Sequence, residues 1–454
     1  MFVIPAFWSL GLVALCLFSV DALPSGINHS NGILLRLDRR AHPVTSPTTD
    51  TSKKIFDQNF VKQEIKAVLY KYRQAAKWIS SLRISNSNRF NVISDSLPPS
   101  LTNSNGSVAP VGATPQLETQ TRLRLTDYMS GTLDVLYFGY LGFGTPPQTL
   151  SVDIDTGSAD MWVSSDCSDC QTKQFDSMRS TTYQSTTHPF NVFYGTGSVT
   201  GHMARDRVAA GSLEVSQDFG VVNQDNDALA GSPVSGLLGM AFSTIAVSEK
   251  PTFFENLWDQ KKIQRGYFSV HLERNKAQGS ELCLGCIDMG KALGSMTWAS
   301  LASRSYWSVN VDRINIDTQN NRTVHVNLVA VVDTGTTLVY LPNGVAESLY
   351  NQIPGARRAT QFGDGFWTYP CASTLAIGFV IDGNSYSISP FDFNLGRTST
   401  TSTECVAGIL SIGDGFPPGL AILGDEFLKS WYTTYDYENG GRIGFAPSIN
   451  NRPP

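Results

Sequence analysis

Two aspartates lie two residues apart in the apolar run Ser151-Val-Asp-Ile-Asp-Thr-Gly-Ser-Ala-Asp-Met-Trp162. Asp-Thr-Gly is turn chemistry, so a kinked chain is one reading of Asp155. A second copy, Ala330-Val-Val-Asp333-Thr-Gly-Thr-Thr-Leu-Val-Tyr-Leu341, points to chemistry instead. Each copy is followed by an apolar pair and a glycine: Leu237-Leu-Gly239 ends 84 residues after Asp155, and Ile422-Leu-Gly424 ends 91 after Asp333. Two copies are too few for a solenoid and imply similar halves facing across a pseudo-two-fold axis, which would bring Asp155 and Asp333 together. Two carboxylates held close in a partly dry cleft cannot both ionise readily, so they share a proton. The base then takes a proton from a water while the acid polarises an amide carbonyl; the water attacks, and the pair protonates the leaving nitrogen. No metal, cofactor or covalent intermediate is required.

Competing chemistries fit less well. The sequence has no H-E-x-x-H and no G-x-S-x-G, and none of its seven cysteines has a Cys-His nucleophile context. A glycosidase also uses two carboxylates, but nothing in that chemistry asks for both to sit in Asp-Thr-Gly turns.

The elements that must hold these residues are strands. Of the 454 residues 41% are hydrophobic and 16% charged, enough to bury one large or two ordinary cores. After residue 130 Thr, Ser, Gly, Val and aromatics are plentiful, which predicts short strands joined by Gly-rich turns.

Upstream, residues 1–22 are apolar up to Val20 and end in Val20-Asp21-Ala22, which suits signal-peptide cleavage; a retained anchor is the other reading of such a run. Residues 23–120 carry 12 Lys and Arg against 6 Asp and Glu, whereas 121–454 carry 22 against 32. Val61, Ile65, Val68, Leu69, Tyr72, Ala76 and Ile79 recur at helical spacing among lysines and arginines, predicting a basic helix. The Ser/Asn/Pro-rich tract Ser85 to Gln116 is expected to be open to proteases. A basic leader on an acidic body suggests an electrostatically docked, inhibitory prosegment; a solvated basic helix with another target is the alternative. The body has no basic patch for nucleic acid. Beyond Cys16, six cysteines remain at 167, 170, 283, 286, 371 and 405, an even number that fits disulfides and export. Two C-x-x-C pairs leave a zinc site as the other reading. Cys283 and Cys286 sit in an apparent strand, where residues three apart are roughly 10 Å apart, too far for a mutual bond unless Gly285 bulges. Sequons fall at Asn28, Asn105 and Asn321.

From about Asp127 to Pro447 the chain resembles the pepsin-like aspartic endopeptidase precursors, through VDIDTGSADMWV, FYGTGSVTG, SGLLGMAF, YWSVNVDRI, VVDTGTTLVYLP and ILGDEFLKSWYTTYD in the family's order. The resemblance implies an all-β, bilobal pepsin-like fold, with an N-terminal lobe at 121–310, a C-terminal lobe at 311–454, and one catalytic aspartate from each. It assigns Gly157 and Gly335 to tight turns whose amides face the carboxylates. Ser158 and Thr336 match hydroxyls bonded to the Asp oxygens. Tyr194 matches the flap tyrosine, which bonds the Trp162 indole, and Gly195 and Thr196 belong to that flap, whose backbone would pair with an extended polypeptide substrate. Cys371–Cys405 and Cys167–Cys170 match the family's disulfides. Lys71 matches the prosegment lysine inserted between the aspartates, with Lys66 and Arg73 as alternatives. Asp153 matches a position lining the pocket before the cut, where fungal secreted members that accept lysine also carry an acid, although their flap Asp is replaced by Thr196. The expected protein is a secreted or vacuolar monomer activated by acid, blocked by pepstatin-type inhibitors and by its own prosegment, preferring bulky apolar residues beside the cut, and independent of membranes. A non-catalytic binder of the same fold is the rival reading, but such forms typically lose an Asp, a motif Gly or the flap Tyr, and this chain keeps all of them.

Overall fold

The computed structural model describes residues 54–56, 58–73, 75, 79, 120–168, 170–193, 197–226, 231–317, 322–413, 415–438 and 440–452. The signal segment 1–22, the tract from Ser85 to Gln116, the sequons Asn28, Asn105 and Asn321, and Tyr194, Gly195 and Thr196 lie outside them.

The protein has the bilobal all-β pepsin-like fold. Its first half supplies β1 (Thr121–Ser130), β2 (Leu133–Phe143), β3 (Gln148–Asp155), β4 (Met161–Ser164), β5 (Gln184–Phe193), β6 (Ser198–Ala210), β7 (Leu213–Asn226) and β8 (Gly236–Gly239). With β9 (Tyr267–His271), β10 (Gln278–Leu284) and β11 (Thr297–Ser300) they join one thirteen-stranded sheet. The last two strands of the chain, Trp431–Asp436 and Arg442–Pro447, enter that same sheet between β11 and β9, so the end of the chain is hydrogen-bonded into the sheet of its beginning. The second half builds a seven-stranded sheet around β12 (Ser308–Asp317), β13 (Arg322–Val332) and β14 (Val339–Leu341), and a four-stranded sheet ending on the strand Asn394–Arg397.

Burial explains why the strands near the motifs read as apolar runs and do not alternate. Every residue of β3 but Thr149 is buried, as expected where both faces of a strand are covered. Phe143, Phe175 and Phe219 pack in one part of the core; Phe268, Trp307 and Tyr435 pack in another.

The expected basic helix forms as α1 (Gln58–Lys71) but stops short of the predicted span: Tyr72 and Arg73 are in a turn, and Ala76 lies outside the described residues. It buries Val61 and Val68 and exposes Lys62 and Lys66. Among the described residues no helix is long and apolar enough to cross a membrane.

All six body cysteines are in disulfides: Cys167–Cys170, Cys283–Cys286 and Cys371–Cys405. This removes the zinc reading. Strand geometry was expected to part Cys283 and Cys286, yet their Cα atoms are 5.3 Å apart. β10 stops at Leu284, and Gly285, at φ +72°, turns the chain back.

Candidate active site

The two Asp-Thr-Gly copies sit on the same local plan. Asp155 ends β3, which pairs in parallel with β8 so that Asp155 faces Gly239. Asp333 follows β13, which pairs in parallel with Leu420–Leu423. In each half the strand after the motif, β4 or β14, returns antiparallel along that same partner. The apolar-apolar-glycine echo has its cause here: a Cβ on Gly239 would come within 2.5 Å of the Ala159 backbone, and one on Gly424 would land on the Thr336 carbonyl oxygen. Each glycine makes room for the loop that follows the aspartate of its own half.

Two threonines then lock the halves together. The Thr156 amide donates to Thr334 Oγ1 at 3.1 Å, and the Thr334 amide to Thr156 Oγ1 at 3.0 Å. Each hydroxyl in turn donates across the axis, Thr156 to the Val332 carbonyl at 2.9 Å and Thr334 to that of Ile154 at 2.6 Å. All four residues are buried, where an unmade bond costs most. Sequence reading passed over Thr156 and Thr334, although their place in both motif copies was the available signal.

The carboxylates meet on this base. Gly157 N–H donates to Asp155 Oδ1 at 2.8 Å and Ser158 Oγ to Oδ2 at 2.6 Å. Gly335 N–H donates to Asp333 Oδ1 at 2.9 Å, and the Thr336 hydroxyl to its Oδ2. The glycines have a different reason from the one expected. Neither has a positive φ; a Cβ on Gly157 would land on the Asp333 carboxylate, and one on Gly335 on that of Asp155. They are required by the close approach of the opposite acid, not by the turn.

Lys71, the last residue of α1, puts its Nζ between the acids, 2.7 Å from Asp155 Oδ1 and 2.9 Å from Asp333 Oδ2. The Tyr72 hydroxyl donates to Asp333 Oδ2 at 2.8 Å. Burial works against charge on all three ionisable groups, but the two carboxylates hold Lys71 well above the ordinary lysine range. For Asp333 burial is outweighed by Lys71 and by the Thr336 hydroxyl, so it is held below its usual value. Asp155 is pushed up by burial, which Lys71 does not fully offset. Lys66 and Arg73, the other candidates for this position, are exposed.

The family model for eukaryotic aspartyl proteases matches residues 136–448. The chain is 34% identical to pepsin A of Suncus murinus over 71% of its length and 82% of that protein's. It is 32% identical to cathepsin D of Gallus gallus (71% and 83%) and 34% identical to an aspartic protease of Phaffia rhodozyma (66% and 74%). The chain belongs to the eukaryotic aspartyl protease family. It is an aspartic endopeptidase.

Around the paired acids this aspartic protease buries more carboxylates than the motifs suggest. Asp153, opposite Phe138 in the β2–β3 pair, is 9% exposed, and burial and Asp155 push it up to about 8. Asp425 is fully buried and raised by burial and by Asp153, Asp333 and Glu64, against the pull of Lys429. Glu64, on the buried face of α1, accepts the amides of Thr337 at 2.6 Å and Leu338 at 3.1 Å, and burial pushes it up to about 7. Helical spacing could have placed Glu64 with Val61 and Val68; its acidic type hid it. Trp162 is buried with Phe190, Val199, Met203, Val222 and Leu237 under the β5–β6 hairpin. That hairpin pairs Phe193 with Ser198, so the expected flap strands are present, while the tip residues Tyr194, Gly195 and Thr196 lie outside the described residues.

Proposed function

We propose that Asp155 and Asp333 are the catalytic pair of a secreted zymogen and that residues 23–120 are its inhibitory leader, with lobes at 121–310 and 311–454. The observation carrying this reading is the Lys71 ammonium between the two carboxylates, where the attacking water would have to sit. With the leader gone, Asp155 and Asp333 share one proton; the ionised acid takes a proton from water and the neutral one polarises the scissile carbonyl. Gly157, Ser158, Gly335 and Thr336 hold the carboxylates in place, and the flap around Tyr194 covers an extended peptide over Trp162.

Acid starts the process. Asp333, held low in the docked state, stabilises docking above its free value and loses that contribution as pH falls and it takes up a proton. Export to a vacuole in place of secretion would use the same chemistry.

Asp153 faces the pocket before the cut. A carboxyl pushed up to about 8 by burial is neutral in acid, which favours bulky apolar side chains there; lysine acceptance, as in fungal secreted relatives, would require it to ionise against a substrate ammonium.

The test is incubation at pH 3 to 4 followed by haemoglobin hydrolysis with and without pepstatin. Self-cleavage and pepstatin-sensitive activity are expected; a chain that stays full length, or activity that survives Asp155→Asn, would end the proposal.

A further inference from the structure

The leader touches the body at a second place, which shares no residue with the aspartate pair. Residues 54–56 run parallel to the outer strand of the four-stranded sheet, Asn394–Arg397. The Arg397 amide donates to the Lys54 carbonyl at 2.7 Å, and the Phe56 amide to the Arg397 carbonyl at 3.1 Å. Gly396, at φ +128°, is bare where the leader passes: a Cβ there would lie 2.8 Å from the Ile55 carbonyl carbon and the Phe56 nitrogen.

Strand alternation sorts the three side chains. Ile55 points out, 48% exposed, while Lys54 is buried and Phe56 is partly buried. Phe56 sits edge-on to Phe362 and Phe366, with ring centroids 5.1 and 5.6 Å away. Lys54 enters a buried ionic cluster, where the Glu426, Asp134 and Asp392 charges act on it together with that of Lys429. Within the body Lys429 bonds Asp134 at 2.7 Å and pairs by charge with Glu426 at 3.0 Å, and Arg274 bonds Asp392 at 2.7 Å. Asp127, pushed up to about 10 by burial and Asp134, is neutral. Asp134, Asp392 and Glu426 thus lie among Lys429, Arg274 and the incoming Lys54, where burial lowers the Lys54 ammonium and pushes Glu426 up to about 7.

We propose that this surface is a peptide-binding exosite: a sheet edge, an acidic socket and a phenyl pair that together take an extended segment reading Lys-x-Phe. Its occupant is the leader's own Lys54–Phe56, which stays bound after the chain is cut between residues 79 and 120. Main-chain pairing supplies affinity, and the two inward side chains supply selectivity. Release of the leader is then a two-site event, in which opening the Lys71 contact does not by itself free it. This rests on reading residues 23–120 as a leader.

The experiment uses the full chain with a site-specific protease sequence placed within residues 101–107, cut at pH 7 and run on gel filtration. The leader fragment is expected to co-elute with the body in the parent and in Lys71→Ala, and to separate, with at least tenfold weaker retention, when Lys54→Glu or Phe56→Ala is combined with Lys71→Ala. Both of those changes lie in the leader and leave every body residue as it is. A labelled peptide of residues 53–58 added to the cut Lys71→Ala protein should displace the fragment whether or not pepstatin is present, and the same peptide with Lys54→Glu should not. Release by Lys71→Ala alone, retention in both leader variants, or peptide binding abolished by pepstatin would overturn the exosite. If instead Lys71→Ala leaves activity unchanged, the inhibitory reading fails while the elution result still judges the exosite.

Discussion

On the proposal that residues 23–120 dock as a leader, Glu64 gives that docking a pH dependence opposite in sign to that of Asp333. In the docked state its carboxyl is pushed from 4.5 to about 7, chiefly by burial. Docking therefore binds a proton at Glu64, and this contribution is fully present below about 4.5 and lost as pH rises through about 7. The groups facing Glu64 are the Thr337 and Leu338 amides, which favour ionisation and are outweighed, the Tyr340 hydroxyl beside it, and the Asp425 carboxyl. From these two values the loss in docking free energy between pH 5.5 and pH 8 is about 2 kcal/mol, roughly thirtyfold in the docking equilibrium. Asp333 acts the other way and withdraws its support only as pH falls. The proposed leader's grip should thus be strongest in weakly acidic solution and weaken on either side. Hydrogen exchange of the α1 amides, corrected for intrinsic rate, measures it: protection should be about thirtyfold lower at pH 8 than at pH 5.5. Glu64→Gln keeps an oxygen for both amides and cannot ionise, so its protection should be nearly flat. Equal or greater protection at pH 8 in the parent, or an unchanged dependence in Glu64→Gln, would refute the reasoning.

Four further outcomes are expected. Gly335→Ala drives a methyl into the Asp155 carboxylate; displacing a reacting group by about 1 Å costs on the order of a hundredfold in kcat, and turnover of a short peptide at fixed folded fraction will show it. Thr334→Val removes the hydroxyl that donates to Ile154 and accepts from Thr156, and should lower unfolding free energy by about 1–3 kcal/mol in urea titration. Lys71→Ala removes the cation between the acids and should raise the pH at which the full-length chain first cleaves itself, followed by gel analysis; onset at the same pH would count against Lys71 as the block. Asp153→Ile should change the ratio of Lys to Leu cleavage before the scissile bond; an unchanged ratio in paired peptide assays would remove Asp153 from the pocket.

Much of the site was legible because chemistry repeats in the sequence. The duplicated Asp-Thr-Gly and its trailing apolar pair and glycine carried the pairing of Asp155 with Asp333, since the trailing glycine of each copy makes room for the loop after its own aspartate. What crosses between halves was harder to read. The reciprocal Thr156 and Thr334 bonds, and the reason for Gly157 and Gly335, depend on the opposite copy, which no local pattern encodes. Glu64 was hidden for a related reason: a lone acid on a helix reads as solvated surface until the amides of Thr337 and Leu338 are placed against it. Composition predicted short strands and the family resemblance implied the all-β class, but the insertion of Trp431–Asp436 and Arg442–Pro447 into the sheet of the first half is a long-range pairing of strands that alternation alone does not identify. Cys283–Cys286 turned on the single backbone angle of Gly285.

The central claim is that Asp155 and Asp333 act as one shared-proton pair. The direct measurement is kcat/KM against pH for acid-processed protein on a short peptide, beside Asp155→Asn and Asp333→Asn. A bell in the acid range, with either substitution lowering the maximum by at least about a thousandfold, is the predicted result; activity that persists in either variant, or a profile that keeps rising to neutral pH, would contradict it.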